Sequence, residues 1–324
     1  MKAARIYNYG GATAVQVDEI EVLPPNPGEV RIRVGAAGMN NSDLQTTYGT
    51  YRGYGHQELP YILGQEAAGK VDAVGLGVKE LVPGMRVFGR VRGAFAEMAY
   101  ALASELLPLA DEVSFTVAAS LPIAYLTAGM ALIHKANVQH GEWVLVHPGS
   151  GGVGSAAVQL AQLLGGRVIA TAGNQAKVQR LIELGALQAI DYSTQDVVSQ
   201  VQRITDNSGV QVALDGAGKV TFADCLGAIA NNGRIVSYGT TTGMDAALPL
   251  GKLLGRNITI YGIAIWYNKD YQFSLGTLRD LVIPAVAQGK IQPTIDEIVD
   301  LEGVSGALSR MENRDLMGKI IVVP

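Results

Sequence analysis

Residues 143–165 read WVLVHPGSGGVGSAAVQLAQLLG, and the fold is decided here. The run WVLVH is short, apolar and bounded by a turn signal, as a buried strand should be, while GVGSAAVQLAQLLG is a small-residue helix suited to packing close against it. Between them Gly149, Gly151 and Gly154 stand in the spacing GxGxxG. The first glycine permits a tight turn, the second lets backbone approach a pyrophosphate, and the third lets helix and strand pack closely. The helix N-terminus adds unpaired N–H groups that attract an anion. In a chain with 40 glycines the spacing alone is weak, and its place between a strand and a helix makes it specific. Gly149, Ser150, Gly151, Gly152, Val153 and Gly154 are therefore the residues expected to bind a dinucleotide.

Downstream the rhythm of strand and helix continues. RVIATA, QAID, VQVALD, GRIVSYG and NITIYGI read as further strands, and QAKVQRLIELG and TQDVVSQVQRI as helices, the latter with Val197, Val198, Val201 and Ile204 on one face. Six strands with helices between them predict an α/β, doubly wound parallel sheet. Upstream, to about residue 115, short β-like runs broken by Gly and Pro predict a compact β-barrel-like domain. After Ile265 the alternation ends. A helix is expected near Leu278 to Gln288, a strand near Glu297 to Leu301, a helix near Val304 to Glu312 and a terminal strand in KIIVVP. This tail is too short for its own core and should fold back onto the N-terminal domain. The expected domains are thus 1–117 with 266–324, and 118–265.

Composition limits the function classes. Of 324 residues, 48% are hydrophobic and 17% charged, below the roughly 25% usual in globular chains, which suits an obligate oligomer. The net charge of -4 and the mixing of signs leave no basic stripe for nucleic acid. A single cysteine, Cys225, rules out an internal disulfide and a four-thiolate zinc site, making a reducing cytoplasm the default location. The N-terminal residues lack the apolar core of a secretory signal. Ser114 to Ile133 carries no charge over about a transmembrane length, but Ser120, Pro122, Tyr125, Thr127 and Gly129 point to a buried junction helix rather than a membrane span.

An NAD site would place Asp or Glu at the end of the second strand. Here Thr171 to Asn174 read TAGN, with no acid to repel a 2′-phosphate. Lys177 and Tyr192 supply a cation and a phenol for that phosphate, so NADPH (NADP) is the expected cofactor. The alternative for Lys177 is a plain solvated helix residue.

The segments GMNNSD, GQEAAG, PGMRVFG, ASLPIAYLTAGMAL, HPGSGGVG and MENRDLMGKIIVV together resemble the medium-chain dehydrogenase/reductase superfamily in its quinone oxidoreductase (zeta-crystallin-like) branch, over the whole length. The resemblance implies a GroES-like β-barrel catalytic domain beside the Rossmann six-stranded sheet. In the zinc alcohol dehydrogenases of that superfamily, three ligands hold a catalytic metal at positions that here are Asn40, Gln65 and Ile123. These are not zinc ligands, and the cysteine-rich lobe is missing, so a zinc-free enzyme is expected. Without a Lewis acid an alkoxide lacks stabilisation, whereas a quinone or enone is itself polarised to accept hydride. By similarity, Asn40 and Tyr51 face the nicotinamide and the acceptor, Thr127 bonds the nicotinamide amide, and Lys177, Tyr192 and Arg314 surround the adenosine phosphate, with Asn174 a further cofactor-binding residue. Tyr238, Gly239 and Ile263 line the cofactor. Gln45 departs from the tyrosine usual in bacterial quinone reductases.

The expected activity is NADPH-dependent reduction of a small molecule, most simply a quinone, with enone or enoyl reduction as the alternative. A reading of another class is an NADPH-binding sensor or interaction protein without turnover; Asn40, Thr127 and the Tyr-rich segment favour catalysis. Tyr48, Tyr51 and Tyr54 in TTYGTYRGYGH form either an aromatic lid, with IWYNKDYQF opposite, or loop packing. Tyr51 is a hydrogen-bond or proton donor to the acceptor. His56, His134, His140 and His147 show no HxxxH or HExxH spacing, and His147 is expected to be structural. Cys225 reads as core, and Glu66 as a brace of the barrel. The exposed edge of the sixth strand suits a homodimer. No nucleic-acid or membrane partner is expected.

Overall fold

The computed structural model describes residues 1–51, 57–265 and 271–324. They form two units, one of Met1–Ile123 with Pro293–Pro324, the other of Ala124–Gln292.

The first unit is built on a seven-stranded sheet. Its path runs through Ile295–Val299, Lys319–Val322, Glu29–Gly38, Glu66–Val74, Arg86–Arg90 and Leu106–Pro108, while Met98–Leu102 also pairs with Glu29–Gly38. A small sheet joins Val15–Glu19, Lys2–Ile6 and Tyr61–Ile62. The long strand EVRIRVGAAG shows why. Val30, Ile32 and Val34 turn inward, whereas Arg31 and Arg33 reach outward to Asp72. Ile6, Ile32, Leu63, Val71 and Phe95 then share one core with Val304, Leu308, Ile320 and Val322 of the tail. Of the tail expected to join this unit, Pro293–Pro324 does so, with its helix at Val304–Glu312 and a terminal strand at Lys319–Val322.

The second unit holds a six-stranded parallel sheet in the order Gln188–Asp191, Arg167–Ala172, Trp143–His147, Val210–Asp215, Ile229–Ser237, Thr259–Gly262. Strand order reverses between Trp143–His147 and Val210–Asp215, which is the topological switch point where such sheets bind ligands. Trp143–His147 is buried throughout, and Ala156, Ala157, Leu160 and Ala161 of helix Gly152–Leu163 are buried too. On helix Val197–Ile204, Val197 and Val201 are buried, Ile204 packs against the same core, and a Cβ on Gly227 would meet Val198 at 2.7 Å. The apolar face read from spacing is the face that packs.

Ser114 to Ile133 becomes helices Phe115–Ala119 and Pro122–Gly129, the second continuing through Met130–Lys135, with Leu121, Leu126, Met130 and Leu132 buried. No helix among the described residues is long and apolar enough to cross a membrane. The division of the chain differs from the expected boundaries at 117 and 265. Residues 118–123 stay with the first unit, and 271–292 with the second. The reason lies in packing. Helix Tyr271–Thr277 sets Thr277 beside Gly129, whose Cβ would lie 3.2 Å from Thr277 Cγ2, and Gln159 bonds both the N–H and the carbonyl of Gln292.

Candidate active site

In the second unit the expected cofactor residues other than Thr127 stand just beyond the carboxyl ends of the strands or in the first turns of the helices that follow them. Gly149 N–H donates to Thr171 O at 2.8 Å, tying the glycine loop to the neighbouring strand. The three glycines then differ sharply in surroundings. A Cβ on Gly149 would meet Ala170 and Leu181 at 3.1 Å, and one on Gly154 would strike the carbonyl oxygen of Pro148 and lie 2.8 Å from Gly149 Cα. A Cβ on Gly151 would meet nothing within 4 Å. Gly149 and Gly154 thus serve packing, while Gly151 keeps open the space above the first turn of helix Gly152–Leu163. Amides of that first turn, including those of Gly152 and Val153, have no partner inside the helix. Open space beside such amides fits a diphosphate.

The end of the second strand has the features of a 2′-phosphate site. Asn174 caps helix Gln175–Glu183, its side chain accepting Lys177 N–H at 2.9 Å. Tyr192 lies across Gly173, where an added Cβ would stand 2.9 Å from the phenol oxygen. Asp191, at the end of the neighbouring strand Gln188–Asp191, is largely buried and holds Ser193 N–H at 3.0 Å and Ser193 Oγ at 2.6 Å. Tyr238 covers Gly216, and a Cβ on Gly239 would strike Gly216 O. Ile263 N–H donates to Ser237 O at 2.9 Å, and Thr127 is buried on helix Pro122–Gly129. His147 is structural as expected. Its Nδ1 lies 2.6 Å from Thr171 Oγ1 and its Nε2 3.0 Å from Asp224 Oδ2, with the Tyr192 ring 5.9 Å away. Cys225 is fully buried, and burial pushes its thiol well up, away from nucleophilic chemistry.

Asn40, Tyr51 and Arg314 belong to the first unit. Arg314 follows helix Val304–Glu312 in a left-handed conformation at φ 57°. Tyr51 is half-buried next to residues 52–56, so Tyr54 and His56 lie outside the described residues, as do 266–270 of the IWYNKDYQF segment. Tyr48, read above as lid or packing, lies over Gly11 and bonds Glu312 Oε1 at 2.5 Å. The packing alternative describes it.

Asn40 ends strand Glu29–Gly38's exit and caps helix Asn41–Thr47, its own N–H donating to Asp43 Oδ2 at 2.8 Å. Its side-chain amide donates to Glu66 Oε1 at 2.7 Å and to Gly38 O at 3.3 Å. Asn40 Oδ1 accepts from Lys319 Nζ at 2.7 Å, and Lys319 also donates to Met39 O at 2.8 Å and Glu66 Oε1 at 2.5 Å. Glu66 Oε2 accepts Ile123 N–H at 2.7 Å. The expected brace at Glu66 is therefore a buried ion pair with Lys319, a residue that sequence reasoning missed. A lone lysine opening an apolar terminal strand is the only signal it leaves. Asp43 was missed as well: burial, opposed by its bond to the Asn40 amide and by Lys319, pushes its carboxyl up to about 7.

A catalytic zinc does not fit this donor set. The Asn40 amide is already taken by two charged partners, the Ile123 side chain has no donor atom and its backbone N–H is held by Glu66, and Gln65 brings an amide oxygen that is buried without a hydrogen-bond partner. Such groups are poor zinc ligands, and an ammonium already stands among the oxygens.

Comparison with known proteins agrees with this architecture. The family model described as alcohol dehydrogenase GroES-like domain matches residues 26–111, and that described as zinc-binding dehydrogenase matches residues 152–278. Quinone oxidoreductase-like protein 2 of Bos taurus is 32% identical over 310 residues, covering 94% of this chain and 88% of its own. A crystal structure of Pseudomonas syringae pv. Tomato quinone oxidoreductase has a TM-score of 0.90 at 32% identity, covering 100% of this chain and 99% of its own. That of Escherichia coli quinone oxidoreductase complexed with NADPH has a TM-score of 0.93 at 28% identity, covering 100% of both chains. With a GroES-like unit, a Rossmann sheet and relatives of this similarity over nearly the whole length, the chain belongs to the quinone oxidoreductase branch of the medium-chain dehydrogenase/reductase superfamily.

Proposed function

We propose that this chain is an NADPH-dependent oxidoreductase that reduces an electron-poor small molecule, with a quinone as the first acceptor to try. The observation that carries the reading is the open face of Gly151 beside an acid-free strand end where Tyr192 crosses Gly173. Similarity to quinone oxidoreductases, one of them in complex with NADPH, supports it. When bound, the dinucleotide supplies the hydride. The chain itself binds and orients. First-turn amides at Gly151 to Gly154 hold the diphosphate, and Asn174, Lys177 and Tyr192 hold the adenosine phosphate. Thr127, Tyr238, Gly239 and Ile263 line the cofactor. Asn40 and Tyr51 stand at the reacting end, where Tyr51 donates a hydrogen bond or proton to the acceptor oxygen. A buried, single cysteine suits a reducing cytoplasm.

Purified protein, NADPH and a panel of quinones, enals and enoyl thioesters, followed by absorbance, test the activity. Turnover of quinones ahead of alkenes is expected; no oxidation with any acceptor would favour the sensor reading. Lys177→Ala tests cofactor choice. Removing one charge-assisted contact should raise the Kd for NADPH about 10- to 30-fold and shift that for NADH by less than about 2-fold, as read by titration calorimetry. Equal losses for both dinucleotides would remove Lys177 from the site.

The assembly we infer is a homodimer. Strand Thr259–Gly262 ends the parallel sheet, and beside it in sequence Leu250 and Leu254 of helix Leu250–Arg256 are 64% and 78% exposed. An open edge flanked by exposed leucines suits pairing with a second copy. Sedimentation at micromolar concentration should give a two-chain species, and a monomer there refutes the assembly.

A further inference from the structure

Two opposite charges dictate how the Asn40 amide is turned. Lys319 has only donors and Glu66, as a carboxylate, only acceptors, so Oδ1 must face the ammonium and Nδ2 the carboxylate. The reverse orientation would set NH2 against NH3⁺ and a carbonyl against a carboxylate. The contacts also use up the donors. Both Nδ2 hydrogens of Asn40 have acceptors, Glu66 Oε1 at 2.7 Å and Gly38 O at 3.3 Å, while the three hydrogens of Lys319 go to Met39 O, Asn40 Oδ1 and Glu66 Oε1. The ion pair is shut away from water, its two side chains 5% and 0% exposed. What Asn40 presents to a ligand is the acceptor Oδ1, which also faces the Asp43 N–H in the capping box of helix Asn41–Thr47.

We propose that Lys319, locked by Glu66, is a positioning residue that fixes Asn40 as a hydrogen-bond acceptor only. The inference rests on the reading that Asn40 stands at the reacting end. Asn40 then recognises an N–H or O–H group of the ligand, such as a carboxamide or a phenol, and supplies no hydrogen bond to an oxyanion. Stabilising that oxygen falls to other donors, Tyr51 first.

Nuclear magnetic resonance of the Asn40 side-chain amide in the wild-type protein, assigned through its loss in Asn40→Asp, gives the direct test. Both protons should be protected from exchange with and without NADP⁺, keeping Glu66 and Gly38 as their acceptors; an Asn40 proton that leaves those acceptors to donate to the ligand overturns the proposal. The second arm is the double variant Lys319→Met with Glu66→Gln, which removes both charges and leaves neither one buried alone. It should melt cooperatively, lose protection of the Asn40 amide, and show kcat lowered about 10- to 100-fold with KM for NADPH within about 3-fold, as misorientation at the reacting end predicts. Lys319→Arg, which keeps the charge, should restore part of that loss. A folded double variant with unchanged kcat and a protected amide overturns the proposal. Failure of the wild type to oxidise NADPH would instead remove the functional reading, and the resonance measurement on wild type would still decide how the amide is held.

Discussion

Valine in place of Gly154 should strongly destabilise the second unit, and aspartate in place of Gly151 should leave it stable but unable to take NADPH. The two positions are close in sequence and belong to one motif, yet their surroundings demand opposite outcomes. A Cβ on Gly154 runs into Pro148 O and comes within 2.8 Å of Gly149 Cα, and all of these are backbone atoms that cannot swing aside. Helix and loop would have to separate. A loss of at least about 4 kcal/mol is expected, larger than ordinary overpacking because no rotamer relieves it. For a protein of this size that is a fall in Tm of about 8 °C or more. At Gly151 the backbone is extended, φ -81° and ψ 177°, and open space lies where a side chain would go. Aspartate is moreover a good N-cap, so helix Gly152–Leu163 should be unharmed or somewhat firmer. Its carboxylate would occupy the anion site, repelling the diphosphate and filling its place. We expect the Kd for NADPH to rise at least about 100-fold, ~2.7 kcal/mol. Calorimetric titration and thermal melting of both variants check the pair. Wild-type affinity in Gly151→Asp would show that the loop is not the cofactor's seat, and wild-type melting in Gly154→Val would show that helix and loop do not meet as closely as Gly154 implies.

The same contrast explains what the sequence made legible. The Rossmann unit could be read because its determinants are local: a strand, a glycine turn and a helix within residues 143–165 define it, and each later strand repeats the pattern. Helix Val197–Ile204 shows its buried face by spacing alone. The first unit hides its key network because the members are far apart in the chain. Asn40 and Glu66 are 26 residues apart, and Lys319 is 253 residues from Glu66. No spacing rule links them, and a lysine at the start of KIIVVP looks like an exposed strand end until the sheet places its ammonium beside Met39. The helical stretch after residue 271 was legible as an element but not as a member of the second unit. Its amphipathic face says that it packs, and only the small residue Gly129 opposite Thr277 says where. Tyr48 was ambiguous for a similar reason, since an aromatic beside glycines reads equally as a lid or as a clasp. Gly11, at φ 75°, makes room for its ring.

Asp43 leads to a pH dependence of opposite sign to that of most carboxylates. It is buried on the first turn of helix Asn41–Thr47, with Oδ2 holding the Asn40 N–H. Burial raises its pKa to about 7, with the Asn40 amide, Lys319 and the Gly64 amide pulling down and Glu66 pushing up. In the unfolded chain an aspartate titrates near 3.9, so between roughly pH 4 and pH 7 the folded state binds a proton that the unfolded state has lost. A raised folded pKa stabilises fully below the unfolded value, and that stability drains away as pH rises through the folded one. The slope approaches about 1.4 kcal/mol per pH unit, and the whole window is worth on the order of 4 kcal/mol. Urea unfolding of wild type and Asp43→Asn across pH 4.5 to pH 8 isolates this group, since asparagine keeps an oxygen for the Asn40 N–H and carries no titration. Relative to the variant, wild type should lose stability steadily as pH rises to 7 and level off beyond it. Parallel pH profiles for the two proteins would mean that Asp43 titrates as an ordinary exposed carboxylate and that the helix start beside Asn40 is open to water.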